Sequence, residues 1–588
     1  MVRQTFSDLS HYVIRYPGRY LIGLVTLVVS GYFATLVPVI LGSAVDAFTR
    51  DVMTLRGSWG YIAALLAATM IAAGATIIVR RTMLNASWEI QFDIRRDLFE
   101  HFTRLDPAFF DSNRIGDLMA RLTADLNAVR MFVGVAIFQG ANTLFLLGFT
   151  LWRMFGLSAQ LTLFTLLVVP VIVASFFLLL RSVHRRYEQV QQQFSDVSAM
   201  AQENFNGIRV VKGFGIEDRE IASFRRLNDD FIRRNLTLTK VEGPMFPLME
   251  LLFGATISLL LLIGGRAVLG AGGSMSIGEF SAFVFLFEGI QWPLIALGWI
   301  ANIVQRGITS WGRLAVLLNS SPRIADGPQT DYTLRTVRGQ IEFRDVTLRF
   351  DDTTALDRVS FKIDAGESIG ITGRTGTGKT LIVNLIARTI EPDEGQILVD
   401  GIDIRRFPLE VLRRHIGLVP QEPFLFSDTI AENIAFGIPE DDSPERARRI
   451  REVAELAQLA EDVEEFPEGF ETSLGERGIT LSGGQRQRTA IARAIIRDPA
   501  VLIFDDSLSA VDTHTESEIL KGLTKVQQGR TNLIVAHRLS AFQNCDKIFV
   551  LAEGRIAEQG SHRELVEQDG WYADMQRRQQ LEADLEAA

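Results

Sequence analysis

The sequence predicts a two-part fold: an α-helical domain of six membrane spans, followed by an α/β domain built on a phosphate-binding loop. Three observations predict it. The 588-residue chain is 47% hydrophobic yet 22% charged, which fits an apolar half joined to a soluble half. Long segments of the first half are nearly free of charge. In the second half a glycine-rich run ending in Lys-Thr lies between a strand-like and a helix-like segment. The net charge of −10 gives no global basic character, so nucleic acid is not an expected partner. The single cysteine, Cys545, excludes an intrachain disulfide and reads as a reduced structural thiol.

In chain order, residues 1–18 mix Arg3, Asp8, His11 and Arg15 with apolar side chains. They read as a helix lying on the membrane face rather than a cleavable signal. The predicted spans are 20–45, 57–79, 131–152, 154–180, 244–265 and 277–305. Each is long enough as a helix to cross a bilayer core of about 30 Å. Trp59 and Trp152 sit at span ends, as interfacial aromatics do. The 80–130 and 181–243 connections are rich in arginine, which places them, and both termini, on the cytoplasmic side. Gln91–Thr103 and Tyr187–Phe205 have helical periodicity, so the spans should continue out of the membrane as stalks. Their turns, Asp111–Asp117 and Asn206–Asp218, are candidates for docking on the soluble half. The last two spans contain Glu250 and Glu288. An acid at such depth is costly and faces a cavity or a partner. Recognition of cationic amphipathic compounds and simple internal pairing are both open readings.

The membrane domain is expected over 19–315, a linker over 316–338, and the α/β domain over 339–588. Gly373-Arg374-Thr375-Gly376-Thr377-Gly378-Lys379-Thr380 has phosphate-loop spacing. Its glycines let backbone N–H groups close on phosphate oxygens, and the following helix adds positive partial charge. Lys379 should reach the β- and γ-phosphates, and the Thr380 hydroxyl should ligate Mg²⁺. Val501–Phe504 reads as a buried strand ending in Asp505, a second Mg²⁺ ligand. Leu481-Ser482-Gly483-Gly484-Gln485 opens a helix expected to run through Arg497 and makes an anion site at its N-terminus. ATP and Mg²⁺ are the implied cofactors.

These motifs, with the six spans and two long hairpins, resemble the ATP-binding-cassette transporter superfamily, specifically its exporter-type (type IV) architecture, over nearly the whole chain. The resemblance implies further roles. Phe350 takes the place of the aromatic residue that stacks on adenine. Gln421 resembles the glutamine that senses Mg²⁺ and the attacking water and touches the membrane half. His537 resembles the switch histidine at the γ-phosphate. Ser509-Ala510-Val511-Asp512 resembles a loop crossing the dimer interface, and Gly475–Gly478 a segment coupled to the cytoplasmic hairpins. Two cassettes bind two ATP molecules head to tail, so a single-cassette chain needs a second half-transporter. Ser482, Gly483, Gly484 and Gln485 would complete the partner's site.

The chain departs from the family at Asp506, where a glutamate normally activates water. Aspartate is one methylene shorter, and a general base must come within about 2.6–3.2 Å of its water. The carboxylate is withdrawn by roughly 1.5 Å, and a misplacement of that size costs on the order of 10²-fold. The departure implies an ATP site that binds well and cleaves slowly. Asp505–Asp512 and the tail Gly570–Met575 through Gln579–Glu582 resemble one subunit of bacterial heterodimeric multidrug-type exporters. The expectation is ATP-driven export of hydrophobic or amphipathic small molecules across a bacterial inner membrane. The alternative is a homodimeric lipid or glycolipid flippase, or a siderophore importer of exporter fold.

Overall fold

The computed structural model describes residues 2–50, 55–269, 275–350, 353–441, 443–475, 478, 481–507, 527 and 529–587. They form two compact units. One is Met1–Thr103 with Asn113–Ser320, and the other is Arg104–Ser112 with Ser321–Ala588.

The first unit is helical. A short helix α1 (Val2–Ile14) precedes six long ones. These are α2 (Pro17–Thr49), α3 (Gly57–Phe102), α4 (Ile115–Leu157), α5 (Ala159–Asn206), α6 (Glu217–Leu269) and α7 (Ile277–Leu318). Each is apolar and long enough to span a bilayer and extends well beyond the hydrocarbon thickness. Helix α1 is tied to the bundle. Leu9 and Tyr12 are buried, Tyr12 donates to Asp97 at 2.9 Å, and its ring meets Trp311 edge-on at 5.9 Å.

The structure corrects two details of the spans. The turn between α4 and α5 falls at Ser158, not at Arg153. Arg153 stays within α4 because its charge is satisfied there: Nε donates to Thr35 Oγ1 at 3.0 Å and the guanidinium lies 4.9 Å over the Tyr32 ring. Ser158 caps α5 by accepting from Leu161 N. The last span is interrupted at Gly289–Ile290, so Glu288 ends one helical segment instead of lying inside a continuous helix. Small residues allow close crossings elsewhere. Gly42 of α2 faces Gly278 of α7, and a Cβ on Gly278 would lie 2.0 Å from the Gly42 carbonyl oxygen. Beside that crossing the Asp46 carboxylate accepts from Gly278 N at 2.7 Å and from the Ser276 hydroxyl, capping α7.

The second unit is α/β. Strands β1 (Ile341–Phe350), β2 (Thr353–Ile363), β4 (Glu394–Val399) and β5 (Ile402–Asp403) make an antiparallel sheet in the order β2-β1-β4-β5. The second sheet runs β10-β9-β3-β8-β7-β6. It comprises β3 (Ser368–Gly373), β6 (Ile416–Val419), β7 (Val501–Asp505), β8 (Thr531–Val535), β9 (Lys547–Ala552) and β10 (Arg555–Gly560). All its pairings are parallel except β10 with β9. Strand β7 is buried throughout, as a central parallel strand should be. Val501 and Ile503 pack into one core with Phe343, Ile371 and Val535. Leu502 and Phe504 turn to the other face and pack with Ile491 and Ile495. Those two residues lie on α10 (Gly483–Ile495), which packs against α9 (Pro444–Leu456), whereas α8 (Lys379–Ile386) packs in the other core with Val501 and Ile503. Helix α10 stops two residues short of the expected Arg497.

Candidate ATP site

The register of the parallel strands places the functional loops together. Ile371 of β3 pairs with Val535 of β8, and Val535 pairs with Asp505 of β7, while Val419 of β6 pairs with Phe504. The loops leaving β3, β6, β7 and β8 therefore share one carboxyl edge, where open α/β sheets bind ligands. Gly373 to Thr380, Gln421, Asp505, Asp506 and His537 all sit on those loops or strand ends.

The phosphate loop leaves β3 in a path that only glycine permits at two points. Gly373 has φ 147°, and a Cβ there would lie 2.2 Å from the Leu551 carbonyl oxygen. Gly378, with φ 97°, is the N-cap of α8 and brings no side chain to cap it. Leu381 N already donates to the Gly378 carbonyl at 3.1 Å, so the N–H groups ahead of it in α8, those of Lys379 and Thr380, are the ones an anionic ligand can take. Arg374, Thr375 and Gly376 form the exposed tip, and Thr377 Oγ1 closes the turn on Arg374 O at 2.9 Å. Lys379 is buried, and its Nζ donates to the carbonyls of Gly373 (2.9 Å) and Arg374 (3.0 Å). Burial lowers its pKa, opposed by the negative charges of Asp506 and Asp505. An ammonium whose hydrogen bonds among the described residues go to two carbonyls, in a partly desolvated loop, is a seat for a phosphate.

Thr380 Oγ1 donates to Asp505 Oδ1 at 3.2 Å. Burial raises the Asp505 pKa, with Thr380 opposing and Asp506 adding to the rise. A hydroxyl and a desolvated carboxylate side by side are hard oxygen donors suited to Mg²⁺, which needs few protein ligands when phosphates supply the rest. Thr380 and Asp505 would hold such an ion, and it would neutralise charge on the phosphate oxygens.

Asp506 follows directly. Its N–H donates to Val535 O at 2.8 Å, and its φ is 46°, a left-handed conformation that aspartate tolerates better than most residues. Gln421 Nε2 donates to Asp506 Oδ2 at 3.2 Å. The segment after β8 is tied to β3 by Ala536 N to Ile371 O (3.3 Å) and by Thr372 Oγ1 to Ala536 O (3.1 Å). His537 is half-buried at the end of that segment. Phe350, at the end of β1, keeps half its surface exposed, so a ring face is available for stacking.

Ser482 caps α10 in a reciprocal box with Gln485: Ser482 N donates to Gln485 Oε1 at 3.0 Å, and Gln485 N donates to Ser482 Oγ at 3.2 Å. Gly483 and Gly484 leave open space around the first turn. Asp462, which sequence reasoning did not single out, holds this element. Its Oδ2 accepts from Gln485 Nε2 at 2.8 Å and from Arg488 Nη2 at 2.6 Å. A lone aspartate nineteen or more residues upstream carries no motif, so nothing local marks it. Asp512, with Ser509, Ala510, Val511, Glu476 and Arg477, lies outside the described residues. In the helical unit, Glu250 and Glu288 are both exposed, and neither has an ion-pair or hydrogen-bond partner among the described residues. The internal pairing considered for them is therefore not present there.

A phosphate loop, two strand-end acids and a Ser-Gly-Gly helix on one cassette, beside six long apolar helices, define an ATP-driven membrane transporter. Residues 20–294 match the ABC transporter transmembrane region and residues 356–509 match the ABC transporter domain. The chain is 35% identical over 587 residues to the multidrug resistance-like ATP-binding protein MdlA of Escherichia coli, covering 99% of this chain and 98% of that protein. It is 36% identical to the ATP-dependent lipid A-core flippase of Hahella chejuensis, covering 84% of this chain and 83% of that one. A solved bacterial Atm1-family ABC exporter with ATP bound superimposes with a TM-score of 0.78 at 27% identity, over 97% of this chain and 99% of that chain. The protein belongs to the ABC transporter family. It has the exporter fold, is a multi-pass bacterial membrane protein, and couples ATPase activity to transport.

Proposed function

We propose that this chain is one half of a heterodimeric exporter for hydrophobic or amphipathic small molecules, and that its own ATP site hydrolyses slowly. The observation that carries the proposal is the Asp506 carboxylate, drawn to Gln421 at 3.2 Å at the end of β7. A carboxylate one methylene short and held by an amide is a poorly placed base for a water on the γ-phosphate. Lys379, Thr380 and Asp505 retain the chemistry of nucleotide and Mg²⁺ binding, with His537 at the γ-phosphate and Phe350 on the adenine. The capped Ser482-Gly483-Gly484-Gln485 turn would complete the partner's site. In this reading ATP closes the two cassettes, the cytoplasmic hairpins pass closure to the spans, and hydrolysis at the partner's site resets them. Both termini and the cassette lie in the cytoplasm, as the arginine-rich connections imply. Glu288, at the break in α7, and Glu250 face the pathway and favour cationic substrates.

A lipid flippase is the second reading, favoured by the 36% identity to the lipid A-core flippase. ATPase stimulation by amphipathic cations but not by lipid A-type glycolipids would separate the first reading from it. The division of labour is tested by steady-state phosphate release from the purified chain in lipid, beside Asp506→Glu. The expected result is a nearly silent native chain and a gain of about 10²-fold in the variant, the cost assigned to the misplaced base. Brisk hydrolysis by the native chain would overturn the slow-site reading.

A further inference from the structure

The switch segment after β8 is held from outside the ATP site by the C-terminal helix α11 (Trp571–Ala587). Gln579 Nε2 donates to the His537 carbonyl oxygen at 2.8 Å, and Gln579 Oε1 accepts from Leu539 N at 2.9 Å. One side-chain amide thus pairs with both sides of the same loop, as a strand partner would, and spans the residue that follows His537. Leu539 is itself buried, so its N–H would be left unpaired without the glutamine. The helix that carries Gln579 is anchored at its start. Glu558 on β10 accepts from Trp571 N at 2.6 Å and Tyr572 N at 3.2 Å, and the fully buried Tyr572 hydrogen-bonds His562 Nδ1 at 2.8 Å. On its other side the same segment is tied to the phosphate-loop strand through Ala536. His537 therefore hangs between the phosphate loop and the C-terminal helix.

We propose that Gln579 is a positioning residue for the ATP site, and that α11 sets how firmly His537 meets the γ-phosphate. The inference rests on the reading of His537 as the γ-phosphate residue. Any displacement of α11 would loosen the clamp and shorten the time ATP stays bound, making the C-terminus a control point for nucleotide occupancy. Two hydrogen bonds, one of them covering a buried N–H, correspond to about a tenfold effect.

The test uses the full chain in lipid and two readouts. Amide exchange over Ala536–Phe542 should quicken about tenfold at Leu539 in Gln579→Ala, while β7 stays protected. Release of radiolabelled MgATP should quicken about tenfold in the same variant, and Gln579→Ala should add nothing to His537→Ala. Gln579→Glu keeps the acceptor for Leu539 N but loses the donor to His537 O, so it should rescue exchange at Leu539 and leave ATP release fast. Unchanged exchange at Leu539, or equal acceleration of release with and without His537, would overturn the proposal. If His537→Ala alone leaves ATP release unchanged, the reading of His537 fails and the inference falls with it; if His537→Ala quickens release and Gln579→Ala does not, only the clamp is refuted.

Discussion

Removing the Asp462 carboxylate should loosen the helix that carries the Ser-Gly-Gly turn. Asp462 Oδ2 receives Gln485 Nε2 at 2.8 Å and Arg488 Nη2 at 2.6 Å. The Arg488 and Asp462 side chains are only 14% and 25% exposed, so the ion pair is screened weakly. In Asp462→Ala the guanidinium keeps its bond to the Gln458 carbonyl but loses its counter-charge, and the Gln485 amide keeps only the cap to Ser482. A neutral bond and a charge-assisted one, discounted for the partial exposure, sum to about 2–3 kcal/mol. For a domain of this size that is a fall of about 4–12 °C in the unfolding midpoint of the cassette. The assay is thermal unfolding of the full chain, followed by tryptophan-independent cassette signals, in a double-mutant cycle with Arg488→Ala. The single changes should each cost most of the effect, and the double change little more. Asp462→Ala within 1 °C of the native midpoint, or strictly additive losses, would refute the anchoring argument, the 1 °C being about 0.3 kcal/mol on the same scale.

The remaining expectations are compact. Gly278→Ala drives a methyl to 2.0 Å from the Gly42 carbonyl oxygen, so α2 and α7 must separate; the midpoint of the membrane domain should fall by several degrees, read by thermal aggregation in detergent, whereas Gly74→Ala, with open space around it, should not move it. Glu432 is paired with Arg446 through two contacts at 2.8 and 2.7 Å, and that bond lowers its pKa below the usual carboxylate value. Its contribution to stability is therefore present above the unfolded glutamate pKa of about 4.3 and is lost as pH falls through the lower folded value. Unfolding midpoints from pH 6 down to the folded pKa should fall less steeply in Glu432→Gln, and an unchanged slope would refute the pairing. Asp506→Glu should gain hydrolysis while losing a little stability, because glutamate fits the left-handed φ of 46° less well than aspartate.

How much of this was legible beforehand depends on whether a signal runs along the chain or across it. The spans are written locally: an apolar run either covers a bilayer or does not, and Pro17–Thr49 and Ala159–Asn206 read out directly. The phosphate loop is equally local, since glycine spacing, Lys379 and Thr380 are contiguous. So is the departure at Asp506, a single letter beside Asp505.

Other features were decided only in three dimensions. Arg153 looks like the end of a span until Thr35 and the Tyr32 ring, more than a hundred residues earlier, are seen to receive it. The interruption at Gly289–Ile290 has a local cause in Pro293, which cannot donate to the Gly289 carbonyl one turn earlier, but Pro38 and Pro170 sit inside unbroken helices, so a proline alone does not place the break before Gln291 and Glu288 reads as mid-helix from the sequence. Asp462 and Gln579 belong to no motif and act through hydrogen bonds to Gln485, Arg488, His537 and Leu539. The meeting of the β3, β6, β7 and β8 loops follows from the strand order, which is a property of parallel pairing between distant segments. Hydropathy and loop spacing act between neighbours, so the local elements and the chemical groups they carry can be read along the chain. Which groups face one another cannot be read that way, because hydrogen bonds and close packing are set by distances in space that chain order does not encode.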